Sequence, residues 1–254
     1  MKTLVTIGRG GTGKSSFTAL MTKCFVEEGL TPLLLVDADP DQNLAEMVGI
    51  DLKESGKSTI AELLVSTFIE KGGTTVGVPP TERIESKIWE KGLFESDHFD
   101  FLSVGTKWVE GCYCMPNSAL KGALGSLTKN YKYVLIDSPA GLEHLNRRIT
   151  SKVTDIFDIL DHSKKSLDHV KRAHRIAKEV EMRFENFYII GGYRFPAERA
   201  LQAETSLNFK YLGKIAADAT LDEYVLEGKS LLELSSDNVA CVSAKKIMKT
   251  AGYL

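Results

Sequence analysis

The stretch "TLVTIGRGGTGKSSF", residues 3–17, decides how the rest of the chain is read. It begins as a short β-branched apolar run and ends as the opening of a helical pattern. Between the two, Gly8-Arg9-Gly10-Gly11-Thr12-Gly13-Lys14-Ser15 fits the spacing G-x-x-x-x-G-K-[ST]. Glycines at these places let successive backbone N–H groups turn toward one anion, and a helix N-terminus adds its partial positive charge. Lys14 is then placed to reach terminal phosphates and Ser15 to ligate magnesium. Gly10, Gly11, Thr12, Gly13, Lys14, Ser15 and Ser16 are the candidate nucleotide contacts. A glycine-rich turn that matched by coincidence would not need a strand before it and a helix after it, and this one has both.

Beyond the loop, short β-branched runs alternate with stretches of helical period, the pattern of a parallel sheet with crossover helices. Candidate strands are residues 3–8, 33–39, 100–104, 133–137, 155–160, 187–192 and 211–215, and seven strands suit one doubly wound sheet. Phe17, Leu20, Met21, Cys24 and Phe25 share one helical face, as do Ile60, Leu63, Leu64 and Phe68, and later Val170, Ala173, Ile176, Ala177 and Val180. Residues 72–98 are the most loop-like part and are expected to form an inserted excursion within a single domain spanning 1–254. The C-terminal segment predicts a closing helix with Val239, Val242, Ile247 and Met248 turned inward.

Two acidic sites fall at the ends of predicted strands. Asp37 and Asp39 close "LLLVDADPDQN", and Asp137 closes "YVLIDSPAG". Carboxylates there face the crevice where open α/β sheets bind ligands. Asp137 is suited to hold magnesium through its water shell, and Asp39 to orient an attacking water. The plainer alternative for each is a strand-end cap.

A net charge of −2 with interleaved signs gives no reason to expect a nucleic-acid surface. No apolar run approaches the roughly 18 residues of a spanning helix, and the N-terminus lacks a signal peptide, so a soluble, cytoplasmic protein without a membrane partner is expected. In a reducing compartment the four cysteines are expected as core thiols, metal ligands or redox groups rather than disulfides. Cys24 and Cys241 sit in apolar helical patterns and read as core. Cys112 and Cys114, in "EGCYCMPNS", sit among polar and small residues, and two thiolates alone cannot close a tetrahedral metal site.

Together, "GRGGTGKSS", "VDADPDQNL" and "VLIDSPAGLEHL" resemble the deviant Walker A ATPases, the group that includes the MinD and ParA positioning proteins and the nitrogenase iron protein. "GCYCMPNSAL", the run Ala140 to Leu145 and "LDEYVLEGKSL" (221–231) extend the likeness to the CooC and AcsF type of nickel-insertion maturation ATPase. The resemblance implies a three-layer P-loop NTPase with helices on both faces of the sheet, and a homodimer that encloses two ATP molecules with Mg2+ and hydrolyses them to ADP. It implies an apo nickel enzyme, carbon monoxide dehydrogenase or acetyl-CoA synthase, as client. It also implies that Cys112 and Cys114 meet the same pair of a second subunit, giving four thiolates for Ni2+ or Zn2+.

Two departures from that family stand out. Its loop carries a lysine that crosses to the partner's phosphates, and here the position is Arg9, which keeps the charge on a planar fork. After "FYII" the family places an Asn-Lys pair, and here stand Gly191-Gly192, with "LDHSKKS" (160–166) replacing a nearby proline-containing turn. Two rival functions remain: an iron-sulfur carrier or scaffold like the nitrogenase iron protein, and a MinD or ParA type positioning switch. Neither rival calls for a C-x-C pair.

Overall fold

In a computed structural model that describes residues 1–39, 41–69, 79–105, 114–139 and 152–254, strand β1 (Lys2–Gly8) lies inside the sheet. Leu4, Val5 and Ile7 in β1 have no solvent exposure. Burial of residues on both alternating sets fits a strand covered on both faces. The other strands are β2 (Leu33–Asp37), β3 (Phe94–Glu95), β4 (Asp100–Ser103), β5 (Tyr133–Asp137), β6 (Asp155–Leu160), β7 (Asn186–Gly191) and β8 (Tyr211–Lys214). Their order is β3-β4-β2-β5-β1-β6-β7-β8, and every pairing is parallel except β3 with β4.

The sheet therefore has eight strands where the sequence predicts seven. The extra one is a two-residue edge strand, too short to carry any alternation. It forms because a turn at Ser96–Phe99, held by Ser96 Oγ donating to the Phe99 carbonyl at 2.5 Å, sets Phe94 opposite Phe101. Of the excursion predicted at 72–98, residues 72–78 lie outside the described residues, and the rest forms a helix, a turn and an edge strand. Helix α4 (Pro80–Lys87) and the turn after it bury Ile84, Ile88 and Leu93 against Ile60 and Leu63.

Alternation along each strand feeds two cores. Leu4, Leu33, Leu35, Leu135 and Phe157 pack with Phe17, Leu20, Met21 and Phe25 of α1 (Lys14–Glu27), with Leu44 of α2 (Leu44–Met47) and with Ile247 and Met248 of α9 (Val239–Ala251). Val5, Ile7, Val36, Ile136 and Ile156 pack on the other face with helices α3 (Ile60–Leu64), α4, α5 (Cys114–Leu127), α6 (Lys164–Glu179) and α7 (Ala200–Leu207). This is the three-layer arrangement.

The closing helix differs in its phase. Asn238 Oδ1 accepts from Ala240 N at 2.8 Å and fixes the first turn. The inward stripe is then Ala240, Cys241, Ala244, Ile247 and Met248, which leaves Val239 and Val242 each 52% exposed. Two alanines on the stripe allow α9 to approach α1 closely, which a valine stripe would not. Among the described residues, no helix is long and apolar enough to cross a membrane.

Candidate nucleotide-binding site

Between the end of β1 and the start of α1 the chain turns through Gly13, which caps the helix at φ 93°. That left-handed conformation is strained for any other residue. Thr12 Oγ1 donates to the Arg9 carbonyl at 2.9 Å, so this side chain ties the loop into shape from within. A cavity of about 290 Å³ opens beside it, lined by Gly10, Gly11, Gly13, Lys14, Ser15, Ser16 and Asp39 at one end. Lys14 is largely buried and its Nζ lies 3.7 Å from Asp39 Oδ2.

Behind the loop, Asp37 and Asp137 stand opposite one another on β2 and β5, both without solvent exposure. They do different things. Asp37 accepts backbone N–H bonds from Asp39 and Leu44, each at 3.1 Å, and so holds the turn that carries Asp39. Asp137 Oδ2 accepts from Ser15 Oγ at 2.5 Å, while its Oδ1 has no hydrogen-bond partner among the described residues. A buried carboxylate oxygen left open beside a helix-start hydroxyl fits a divalent cation of the magnesium type. Burial, with the facing Asp137 charge second, pushes Asp37 up to about 8, although its backbone hydrogen bonds oppose this. Burial likewise pushes Asp137 up to about 7 against the pull of Ser15 and Lys14.

Arg9 is turned away from the cavity. Its Nη1 donates to Asp161 Oδ2 at 2.9 Å and to Ser163 Oγ at 2.8 Å, both in the turn after β6. Burial works to raise the Asp161 carboxyl, but hydrogen bonds from Ser163 and the Arg9 guanidinium outweigh it and hold it below its ordinary range. The "LDHSKKS" stretch thus seats Arg9 within its own chain.

The glycine pair after β7 has a steric reason. A methyl group on Gly192 would meet the carbonyl oxygens of Thr12 at 2.6 Å and Leu160 at 2.9 Å. The strand end packs directly on the phosphate loop, with no room for a side chain. Tyr193 follows, and its ring lies over Gly13. The cavity is also lined by Tyr193, Ile215 and Ala216, and by Asp218, Leu221 and Asp222 at the opening of α8 (Ala219–Leu226). Sequence reading marks 221–231 as a nucleotide-side segment but misses Tyr193 and Asp218. The signal for Asp218 is its capping position, since its Oδ1 accepts from Leu221 N at 2.8 Å.

Cys112 lies outside the described residues, and Cys114 is the first residue of α5. Among the described residues no group of three or more His, Cys, Asp or Glu is placed to hold a metal ion. Cys24 and Cys241 are buried, and burial, with the Glu27 charge second, pushes the Cys24 thiol up to about 12. Neither is a ready metal ligand.

A further acid escapes sequence reading. Asp158, on β6 beneath the loop, is wholly buried, and neither carboxylate oxygen has a hydrogen-bond partner among the described residues. His169 Nε2 of α6 is 3.9 Å from its Oδ1, beyond hydrogen-bond reach. Burial pushes Asp158 up to about 8 against the nearby Lys14 charge. A carboxyl raised in the folded state stabilises fully below its unfolded value, about 3.9, and loses that contribution as pH rises toward the folded value. Asp158→Asn is therefore expected to gain on the parent chain between about pH 5 and pH 8, by at most about 1.4 kcal/mol per pH unit. Urea midpoints across that range measure it, and parallel curves for the two chains would refute it.

The sequence profile of an AAA domain family matches residues 2–186. An uncharacterised ATP-binding protein of Methanocaldococcus jannaschii is 34% identical over 233 residues, covering 91% of this chain and 90% of that protein. The carbon monoxide dehydrogenase accessory protein CooC of Rhodospirillum rubrum is 26% identical over 242 residues, covering 92% of this chain and 90% of CooC. In fold, the septum site-determining protein MinD of Pyrococcus horikoshii, solved with Mg-ADP, superposes with a TM-score of 0.70 at 19% identity, covering 99% of this chain and 96% of that one. With a phosphate loop, a buried strand-end aspartate on its serine and a family profile across most of its length, the chain belongs to the AAA domain family of P-loop ATPases.

Proposed function

We propose that this ATPase is a dimerising, metal-handling switch that helps load nickel into an apo-metalloenzyme of the carbon monoxide dehydrogenase or acetyl-CoA synthase class. The observation that carries the nucleotide half is that Lys14, Ser15 and Asp39 line a single cavity, with Asp137 buried directly behind Ser15 and accepting its hydroxyl. Lys14 would neutralise terminal phosphate charge, and Ser15 and Asp137 would hold a magnesium ion, which when bound would supply charge stabilisation to the phosphoryl group. Asp39, held in place by its turn, orients the attacking water.

Arg9 stays with Asp161 and Ser163 until a second subunit's phosphates compete for it, so nucleotide-driven dimerisation and slow hydrolysis are one event. The metal half rests on Cys112 and Cys114 and on the CooC relative. The domain acts as one unit in the cytoplasm, without nucleic acid or membrane. A positioning switch is the second reading, favoured by the MinD likeness of the fold.

Anaerobic metal titration of the whole chain with ATP separates the two readings. The expected stoichiometry is one Ni2+ or Zn2+ per dimer, abolished by Cys112→Ser or Cys114→Ser and kept in Cys24→Ser. ATP and metal should tighten each other's binding by the same factor, because coupling free energies are reciprocal. ATP-dependent dimers that take up no metal would leave the positioning reading.

A further inference from the structure

The chain leaves β7 through a tight turn set directly on the phosphate loop. Phe195 N donates to the Gly192 carbonyl at 2.8 Å, which closes the turn around Tyr193 and Arg194. Both ends are pinned, since Gly192 packs on the Thr12 and Leu160 carbonyls and Phe195 is buried with its ring centre 6.0 Å from that of Tyr211. Tyr193 lines the cavity, and a methyl group on Gly13 would meet its ring at 3.6 Å. Arg194 stands exposed at the corner, its guanidinium carbon 5.2 Å from the centre of the Tyr193 ring. It makes no hydrogen bond or ion pair among the described residues. The cavity itself is short of positive charge. Among the described residues that line it, Lys14 is the one side-chain cation, against the carboxylates of Asp39, Asp41, Asp218 and Asp222. A magnesium triphosphate adds negative charge to that set, and Arg9 is held elsewhere by Asp161 and Ser163.

We propose that Arg194 is a phosphate-binding residue of this site, leaving the Tyr193 ring to clasp the polyphosphate of a nucleotide bound in its own subunit. The inference rests on the reading of the cavity as a nucleoside triphosphate site. Reach is not an obstacle. Gly192 touches the Thr12 carbonyl, and two residues of chain place the Arg194 Cα within about 7 Å of the Gly192 Cα, a distance its own side chain matches. A cation over an exposed aromatic face is weakly held. Bonds from a guanidinium fork to phosphate oxygens are charge-assisted and bidentate, so the phosphate wins the competition. Resting on Tyr193 keeps the arm beside the loop beforehand, which reduces the rotamer freedom lost on binding. The pinned turn lets one side chain move without the strand end moving.

Calorimetric titration of the whole chain with ATP and with tripolyphosphate, each with Mg2+, tests this, at concentrations where light scattering shows monomer and again where it shows dimer. Arg194→Ala is expected to lose about tenfold in affinity for both ligands at both concentrations. It should melt with the parent chain, because the side chain is exposed. Arg194→Lys, which keeps the charge and loses the fork, is expected to bind only about threefold more weakly than the parent. Added salt should narrow the gap between the parent and Arg194→Ala. Equal affinities in the two overturn the proposal. A loss confined to ATP also overturns it, since the arm would then touch the nucleoside and not the phosphates. A loss seen only in the dimer would put Arg194 on the second subunit's nucleotide and overturns the assignment to its own. A loss that comes with a lower melting midpoint and is not recovered in Arg194→Lys is structural and overturns it as well. A parent chain that binds neither ligand overturns the nucleotide-site reading and this inference with it.

Discussion

Lys14→Ala is expected to abolish nucleotide binding, while Asp39→Ala keeps binding and loses hydrolysis. The lysine is a largely buried cation whose ammonium faces the Asp39 carboxylate at 3.7 Å and lines the phosphate end of the cavity. Removing it leaves Asp39 beside an incoming triphosphate, and the residues that line the cavity then include no side-chain cation. Taking away one partner of a buried charge pair costs about 3–5 kcal/mol, a loss of roughly two to four orders of magnitude in affinity. Asp39 is different, because its removal relieves like charge near the phosphates and leaves the loop intact. Losing a group that positions the attacking water should slow single-turnover hydrolysis by about 10²–10⁴. Calorimetry with ATP and a rapid-mixing phosphate assay separate the two effects. Unchanged affinity in Lys14→Ala would move the anion site away from this loop.

The main outline was legible because local signals agreed. The loop at 8–15 carries its own context, and the seven predicted strands all form because each is a short β-branched run bounded by turn residues. What escaped reading depended on contacts between distant segments. The strand at Phe94–Glu95 exists only through its partner β4. Ile247 and Met248 are buried as predicted, while the first turn, capped by Asn238, turns Ala240 and Cys241 inward in place of Val239 and Val242. Asp158 looked like one more polar residue in a strand pattern, and only the packing of β6 between β1 and β7 shows that nothing described satisfies it. Arg9 looked free to cross to a second subunit, and its seat on Asp161 comes from the turn after β6.

The glycine pair is the clearest case, and Gly192→Ala should show it with the second large effect. A methyl group there would sit 2.6 Å from the Thr12 carbonyl and 2.9 Å from that of Leu160. Both obstacles are backbone atoms, and neither can rotate aside. The surroundings are also pinned: Gly192 N donates to the Leu160 carbonyl at 2.8 Å, and Phe195 N donates to the Gly192 carbonyl at 2.8 Å. The strand end or the phosphate loop must therefore move. Overpacking of this kind costs about 1–3 kcal/mol. For a chain of this size that lowers the melting midpoint by roughly 3–10 °C. Because the displaced carbonyl belongs to Thr12, beside Gly13 and Lys14, nucleotide affinity should fall with stability, which a clash remote from the loop would not cause. Gly10→Ala is the matched control, since a methyl group on Gly10 meets nothing within 4 Å and its stability should stay near that of the parent chain. If Gly192→Ala melts with the parent and binds ATP normally, then β7 does not press on the loop.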